Sequence, residues 1–345
     1  MSNKKQVDRM NIFFRVKAAP ELGMGHLVRC LALAEKLKDL APDMDITFIT
    51  SSNAVSDRVR SCGYGSIDLP LSVSMVEEIK HYKKCLNKSI IITDIPNIPE
   101  QYIHALKENG CIVVSIDDCS KTLFYSDILI NPNLNPCTQH AYSSGTQYYS
   151  GAEYVILKKA FEKYAGKKKR IKEKVESLFL CFGGGDNNNI TGKIVNIIKE
   201  IEIDTNVVIG MLYPYKNELI KSVEEHKNIK IKINANNIDE LIDEADLAMI
   251  SGGTMLYEIC AVGTPAIIIC QNEDQNTECE FFAQTNAAIN FGVYDKINKE
   301  AVLDTVHNLI NDHKNRMLLS KNAKQLIDAK GADRIVKIIK GYFRK

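Results

Sequence analysis

Apolar positions along the chain fall into two kinds of run that alternate. Short β-branched or aromatic runs, "NIFFRV", "DITFIT", "SIIITD", "CIVVSIDD" and "DILIN", predict strands. Between them, "HLVRCLALAEKLKDL" and "IPEQYIHALKEN" space their apolar residues as helices do. The strands are apolar throughout rather than alternating in and out, the pattern of a parallel sheet covered on both faces. A basic, apolar-poor stretch, "AGKKKRIKEKVES", interrupts this order. The alternation then restarts with "SLFLCFGGGD" as strand and glycine turn, "NITGKIVNIIKEI" as helix, and "TNVVIGML" and "NIKIKIN" as strands. "IDELIDEADLAMIS", "GGTMLYEICAVG" and "TPAIIICQ" continue it. The prediction is an α/β chain of two doubly wound, Rossmann-like domains facing a cleft, with ligand at the carboxyl ends of the strands. The boundaries expected are 1–162, an exposed linker 163–176, and 177–345, the last helices being able to cross back to the first domain.

A length of 345 residues agrees with two domains, and 45% apolar with 25% charged residues is the balance of a soluble globular protein. With 44 basic and 43 acidic side chains the net charge is +1, so no nucleic-acid partner is expected. "MSNKKQVDRM" carries no signal-peptide core, and no run approaches the ~20 apolar residues that cross a bilayer. A cytoplasmic protein without membrane insertion is the expectation. Ten cysteines show no C-x-x-C spacing, and Cys181 and Cys270 lie in apolar runs. They read as reduced, buried thiols rather than zinc ligands or disulfides.

Glycines gather where strands pass into helices: Gly23-Met24-Gly25, Gly183-Gly184-Gly185, and Gly252-Gly253 before Thr254. Glycine lets a ligand approach the peptide N–H groups, and the helix end behind it supplies unpaired donors and partial positive charge. A phosphate or diphosphate suits Gly184, Gly185, Gly253 and Thr254. Neither G-x-x-x-x-G-K-[ST] nor G-x-G-x-x-G is present, which disfavours a P-loop NTPase and a dinucleotide-binding dehydrogenase. Glu258, four residues beyond Thr254, could take ribose hydroxyls or be a solvated or capping glutamate. In "EDQNTE", Asp274, Gln275 and Asn276 could bind a polar ligand or form a hydrophilic loop and helix cap.

His26 opens a helix behind two glycines. It is either a cap or a piece of proton-transfer chemistry; the helix end disfavours a protonated ring and so leaves a neutral base. The remaining histidines, His81, His104, His140, His226, His307 and His313, lie in polar contexts and read as solvated. No G-x-S-x-G elbow exists, which removes an esterase.

"FRVKAAPELGMGHLVRCLALA" resembles the opening of the UDP-2,4-diacetamido-2,4,6-trideoxy-β-L-altropyranose hydrolase family of pseudaminic acid biosynthesis. Arg15, Gly23, Gly25, His26 and Arg29 match its positions. "IIITD", ending in Asp94, "VVSIDD", "SDILINPN", "SGAEYVILKKAF", "FGGGDNNN", "SGGTMLYEICAVGTPAIIICQNEDQN" and "IDAKGADRIVKII" extend the likeness. It is shared more loosely with GT-B glycosyltransferases of the lipid II synthase type. The chain departs from the family at Lys17 (aspartate), Lys158 (arginine) and Pro96 (tyrosine), with Tyr102 expected inside the following helix.

The resemblance implies hydrolysis of a UDP-linked diacetamido-trideoxy hexose by water at C1, with inversion. His26 is then the base, and Gly184, Gly185, Gly253, Thr254 and Glu258 hold the nucleotide. Arg15, Gly25, Arg29, Asp94, Asp274, Gln275 and Asn276 hold the substrate, and no metal or cofactor is required. Asp94 and Asp117 or Asp118 would orient His26 or the sugar, or only cap helices. Two other readings stand beside it: a glycosyltransferase using the same cleft, and a non-catalytic nucleotide-sugar binding module.

Overall fold

The computed structural model describes residues 11–18, 24–70, 73–86, 88–118, 120–134, 140–211 and 213–343. The chain forms two compact units, one of residues 1–159 with 330–345, the other of residues 160–329.

In the first unit the strands are β1 (Ile12–Val16), β2 (Ile46–Thr50), β3 (Gly65–Asp68), β4 (Ile90–Asp94) and β5 (Ile112–Ile116). They continue with β6 (Leu123–Phe124), β7 (Ile128–Asn131), β8 (Ala141–Tyr142) and β9 (Gln147–Ser150). Seven of them form a parallel sheet in the order β3-β2-β1-β4-β5-β7-β9, while β6 and β8 pair separately. The order reverses between β1 and β4, and such a switch point leaves a crevice at the strand carboxyl ends. Helices α1 (Gly25–Leu40), α2 (Asn53–Ser61), α3 (Met75–Tyr82) and α4 (Glu100–Glu108) cover it.

The period-2 geometry of the strands sorts their residues between two cores. Ile12, Phe14, Val16, Ile90, Ile92, Val114, Ile116, Ile128 and Ile130 pack with Leu27, Leu33 and Leu37 of α1. Phe13, Ile91, Val113 and Leu129 face Ile79, Tyr82, Tyr102 and Leu106 of α3 and α4. Residues of the wrong parity therefore cannot reach α1, which matters for Arg15 below.

The second unit repeats the plan. Strands β10 (Ser177–Cys181), β11 (Asp204–Ile209), β12 (Ile229–Ile233), β13 (Leu247–Ile250), β14 (Ala266–Cys270) and β15 (Ile289–Val293) lie in the order β12-β11-β10-β13-β14-β15. All are parallel, and their switch point lies between β10 and β13. Its helices are α5 (Ile190–Ile198), α6 (Lys216–Ser222), α7 (Ile238–Glu244), α8 (Thr254–Val262), α9 (Glu273–Gln284), α10 (Lys299–Asn311) and α11 (His313–Leu326).

The last helix, α12 (Gly331–Lys340), belongs to the first unit. Its Ile335, Val336 and Ile339 join the core of α1, and burying each such side chain contributes about 1.5–3 kcal/mol. Gly331 is required there: a Cβ would stand 2.1 Å from the Val155 carbonyl oxygen.

The basic stretch is largely exposed, as its composition predicts, but it is not a linker between the units: residues 163–176 fall within the second one. Tyr164 donates its hydroxyl to the Asp239 carbonyl at 3.1 Å, and the Lys169 amine caps the α7 end through the Ile242 carbonyl at 3.2 Å and that of Asp243. The buried Arg316 guanidinium donates to the Lys172 and Glu173 carbonyls at 2.7 and 2.8 Å. Residues 163–176 are thus packed into the second unit, because lysine stems and main-chain carbonyls satisfy partners there while the charges of Lys167, Lys168 and Arg170 remain exposed. No helix among the described residues is long and apolar enough to cross a membrane.

Candidate functional site

Helix α1 starts at Gly25, and Met24 before it offers no side-chain cap. His26 is the second residue of the helix; Arg29 and Cys30, three and four residues on, share its face. That face meets the end of β4, where Asp94 has the strand parity of Ile90 and Ile92 and so points toward α1.

The contacts there form one network. His26 Nδ1 lies 2.7 Å from Asp94 Oδ1. Arg29 donates from Nε to Asp94 Oδ2 at 2.6 Å and from Nη2 to Oδ1 at 2.7 Å. Its Nη1 and Nη2 also reach Asp118 at 2.8 and 3.1 Å, and Cys30 Sγ donates to Asp94 Oδ2 at 3.4 Å. Burial alone would raise the Asp94 pKa, but the Arg29 charge and the bonds from Arg29 and His26 outweigh it and hold the group well below the usual carboxylate range. Burial likewise opposes the charge on Arg29, and Asp94 and Asp118 more than restore it.

This fixes the imidazole tautomer. An ionised Asp94 only accepts, so Nδ1 carries a hydrogen, and in the neutral ring Nε2 then keeps its lone pair. Arg29 Nη2 also stands 3.0 Å from Nδ1, but two donors face each other there, so its hydrogen bonds go to the carboxylates. His26 remains 22% exposed beside an Asp94 that is 1% exposed. With Arg29, Pro96, Asn97, Asp117 and Asp118 it lines a cavity of about 290 Å³ at the switch point of the first unit.

Arg15 does not join this group. Its parity sends it to the opposite face, where it is 3% exposed and bonds Glu78 through Nε at 2.6 Å and Nη2 at 2.8 Å. Tyr102, within α4, donates to the same Glu78 at 2.8 Å. The substrate contact expected of Arg15 is replaced by a buried ion pair, whereas Asp94, with both oxygens bonded, lines the cavity beside His26. Gly25 begins α1 as expected, whereas Gly23 lies outside the described residues.

In the second unit the two glycine loops differ. Asp186 follows Gly183–Gly185, is 3% exposed, and accepts from the Ile190 and Thr191 amides at 2.9 and 2.7 Å. Burial lifts its pKa above the ordinary carboxylate value despite these bonds. Asn189 Oδ1 takes the Gly192 amide at 3.1 Å. The end of α5 is therefore closed by the chain itself, and Gly184 and Gly185 can offer only loop amides. Helix α8 is the opposite: Gly253 has φ +109°, no side chain caps the helix, and no acidic residue stands in its first turn. The open donors begin at Thr254.

Glu258 is 4% exposed on α8, which removes the solvated alternative. Asp274, Gln275 and Asn276 form the first turn of α9, capped by Asn272 Oδ1 accepting from the Gln275 amide at 2.9 Å. Gln275 Oε1 accepts from the Gln271 amide at 3.0 Å and Asn276 Oδ1 from Asn290 Nδ2 at 2.9 Å, so two of the three are tied to their own chain. A larger hollow of about 450 Å³ beside Lys167, Lys169, Arg170 and Asp243 contains none of the expected site residues.

His140 is a correction. Its side chain is 1% exposed, with Nε2 2.8 Å from Asp117 Oδ2 and Nδ1 3.0 Å from the Tyr148 hydroxyl. The polar sequence around it suggests solvent, but its partners are Tyr148 on β9 and Asp117 in the loop after β5.

Residues 180–336 match the glycosyltransferase family 28 C-terminal domain. The chain is 26% identical over 332 residues to the spore coat polysaccharide biosynthesis protein SpsG of Bacillus subtilis, spanning 94% of this chain and 96% of that protein. It is 23% identical over 293 residues to the UDP-2,4-diacetamido-2,4,6-trideoxy-β-L-altropyranose hydrolase of Campylobacter jejuni, spanning 82% of this chain and 99% of that one. Among solved structures, MurG of Acinetobacter baumannii is similar with a TM-score of 0.68 at 13% identity, over 96% of this chain and 99% of that one. Two α/β units with parallel sheets in this arrangement make the fold GT-B.

Proposed function

We propose that the chain acts on a nucleotide sugar and hydrolyses a UDP-linked diacetamido-trideoxy hexose, releasing the free sugar and UDP. The observation that carries this reading is His26 in a cavity, its Nε2 without a partner among the described residues and its Nδ1 held by Asp94. The attacking water passes a proton to Nε2 as its oxygen bonds to sugar C1. The bond from C1 to the diphosphate oxygen breaks, its electron pair leaves with UDP, and the configuration at C1 inverts. Asp94 stabilises the imidazolium that forms and keeps the ring in its productive tautomer. Such a base contributes about 10²–10⁴-fold. The open end of α8 is suited to a phosphate group. Likeness to the Campylobacter jejuni hydrolase supports water as the nucleophile.

A second reading is glycosyl transfer, favoured by the match to a glycosyltransferase family 28 domain. Here His26 takes its proton from an acceptor hydroxyl. Incubation of the expected UDP-sugar in ¹⁸O water, followed by mass spectrometry, tests the mechanism: label in the sugar fits attack at C1, and label in UDP overturns it. UDP release in water alone fits hydrolysis, whereas release only after an acceptor is added fits transfer. UDP binding without turnover of any sugar nucleotide overturns both.

A further inference from the structure

Asp117 follows β5 and is 4% exposed. One carboxylate oxygen is fully used: Oδ2 accepts from the Ser120 amide at 2.6 Å and from His140 Nε2 at 2.8 Å. The other, Oδ1, has no hydrogen-bond partner among the described residues, yet it is not one of their sealed, unsatisfied polar atoms. Asp117 lines the same cavity as His26. The buried carboxylates that serve structure behave differently. Asp94 and Asp186 each use both oxygens. An acceptor left open to a cavity is satisfied there by water or by a donor group of a ligand.

The pair behind it is built to aim that oxygen. His140 Nδ1 faces the Tyr148 hydroxyl at 3.0 Å and Asn131 Nδ2 at 3.4 Å, and because an ionised Asp117 only accepts, Nε2 carries the hydrogen that it receives. Phe124 and Tyr148 hold the imidazole edge-on at centroid distances of 6.1 and 5.5 Å.

We propose that Asp117 is a substrate-binding residue of the His26 cavity, its free Oδ1 accepting a hydroxyl or amide hydrogen of the sugar, and that His140 is the positioning residue that keeps this oxygen aimed. The inference rests on the reading that the cavity receives the sugar of a nucleotide sugar, and it adds the chemistry selected there. A carboxylate oxygen takes an O–H or N–H group and repels a carbonyl or phosphate oxygen.

The test is D117N in the full chain. Ser120 N–H and His140 Nε2–H both need an acceptor, so the amide oxygen takes the Oδ2 place and the NH₂ turns to the cavity. The acceptor becomes a donor within an unchanged shape. Calorimetric titration compares wild type and D117N against UDP, UDP-N-acetylglucosamine and UDP-2,4-diacetamido-2,4,6-trideoxy-β-L-altropyranose. At least one sugar nucleotide is expected to bind D117N about 10- to 100-fold more weakly, with UDP unchanged. His140→Leu reproduces much of that loss, and His140→Gln, whose Nε2 can donate in the same place, restores binding.

Equal affinities in wild type and D117N overturn the inference, as does the same loss for UDP alone or no binding of either sugar nucleotide by wild type. H140L binding as wild type does, or H140Q failing to restore what H140L loses, overturns the role of His140. Binding without UDP release overturns the hydrolytic reading only, because the affinity ratio still decides this one.

Discussion

The switch points of the two units begin alike and are finished differently. Each sets glycine at the start of a helix that follows a central strand, Gly25 opening α1 after β1 and Gly253 preceding α8 after β13. In the first unit side chains complete the site: His26, Arg29, Asp94 and Asp118 form a closed network in which one imidazole nitrogen stays bare. In the second unit main-chain groups are what is offered, at a helix end in α8 but only from the loop before α5, whose end Asp186 caps. A glycine turn therefore indicates where a ligand can approach, while the neighbouring residue decides whether the donors are still available.

Replacing the bare base should give the largest effect. His26→Asn is expected to lower kcat by about 10²–10⁴-fold under the proposed chemistry, with the melting temperature little changed, as UDP release and thermal denaturation would report. Full activity in that variant removes the catalytic half of the contrast.

Next in size is the support behind the base. Asp94→Asn leaves Arg29 buried with half its pairing and should destabilise the chain by about 3–5 kcal/mol in denaturant unfolding. The folded pKa of Asp94 lies below its unfolded value of about 3.9, so its contribution is complete above that pH and is lost as pH falls through the lower, folded pKa. Wild type should therefore lose stability on acidification below about pH 4, and the variant should lose less over the same window. Parallel acid profiles would show that Asp94 is not the linked group.

The smallest change sharpens the difference between the two helix ends. Asp186→Ala is expected to cost about 0.5–2 kcal/mol of stability, as loss of a helix cap does, without weakening UDP binding. A marked loss of UDP affinity measured by calorimetry would mean that the α5 loop, rather than α8, serves the phosphate.

Much of the architecture was legible because its cause is local. Runs such as Ile90–Ile92 and Ile267–Ile269 are apolar on every residue, which only a strand covered on both faces tolerates. His26 and Arg29 could be singled out because three residues along a helix share a face. What the chain concealed depends on distant partners. Arg15 was assigned to the site although strand parity turns it away, and parity becomes decisive only when the helix on each face is known. His140 receives its partners from Asp117 and Tyr148, on segments that the fold brings together. Composition likewise reports the exposure of the lysine-rich stretch but not its place within the second unit, where the Lys169 amine is held by carbonyls some seventy residues away. The closure of α5 was accessible in principle, since an aspartate four residues before Ile190 is an Asx-type helix-entry signal.

The return of α12 gives the molecule an order of assembly. The second unit is one uninterrupted segment, Ala160–Ala329, whereas the first needs residues from both extremes of the chain. On a ribosome the earlier-made sheet must wait, with the α1 side lacking Ile335 and Ile339, while the intervening segment emerges over roughly 10–30 s. The portion synthesised first is thus completed last, and during that interval its unfinished apolar side is the place where a chaperone would bind.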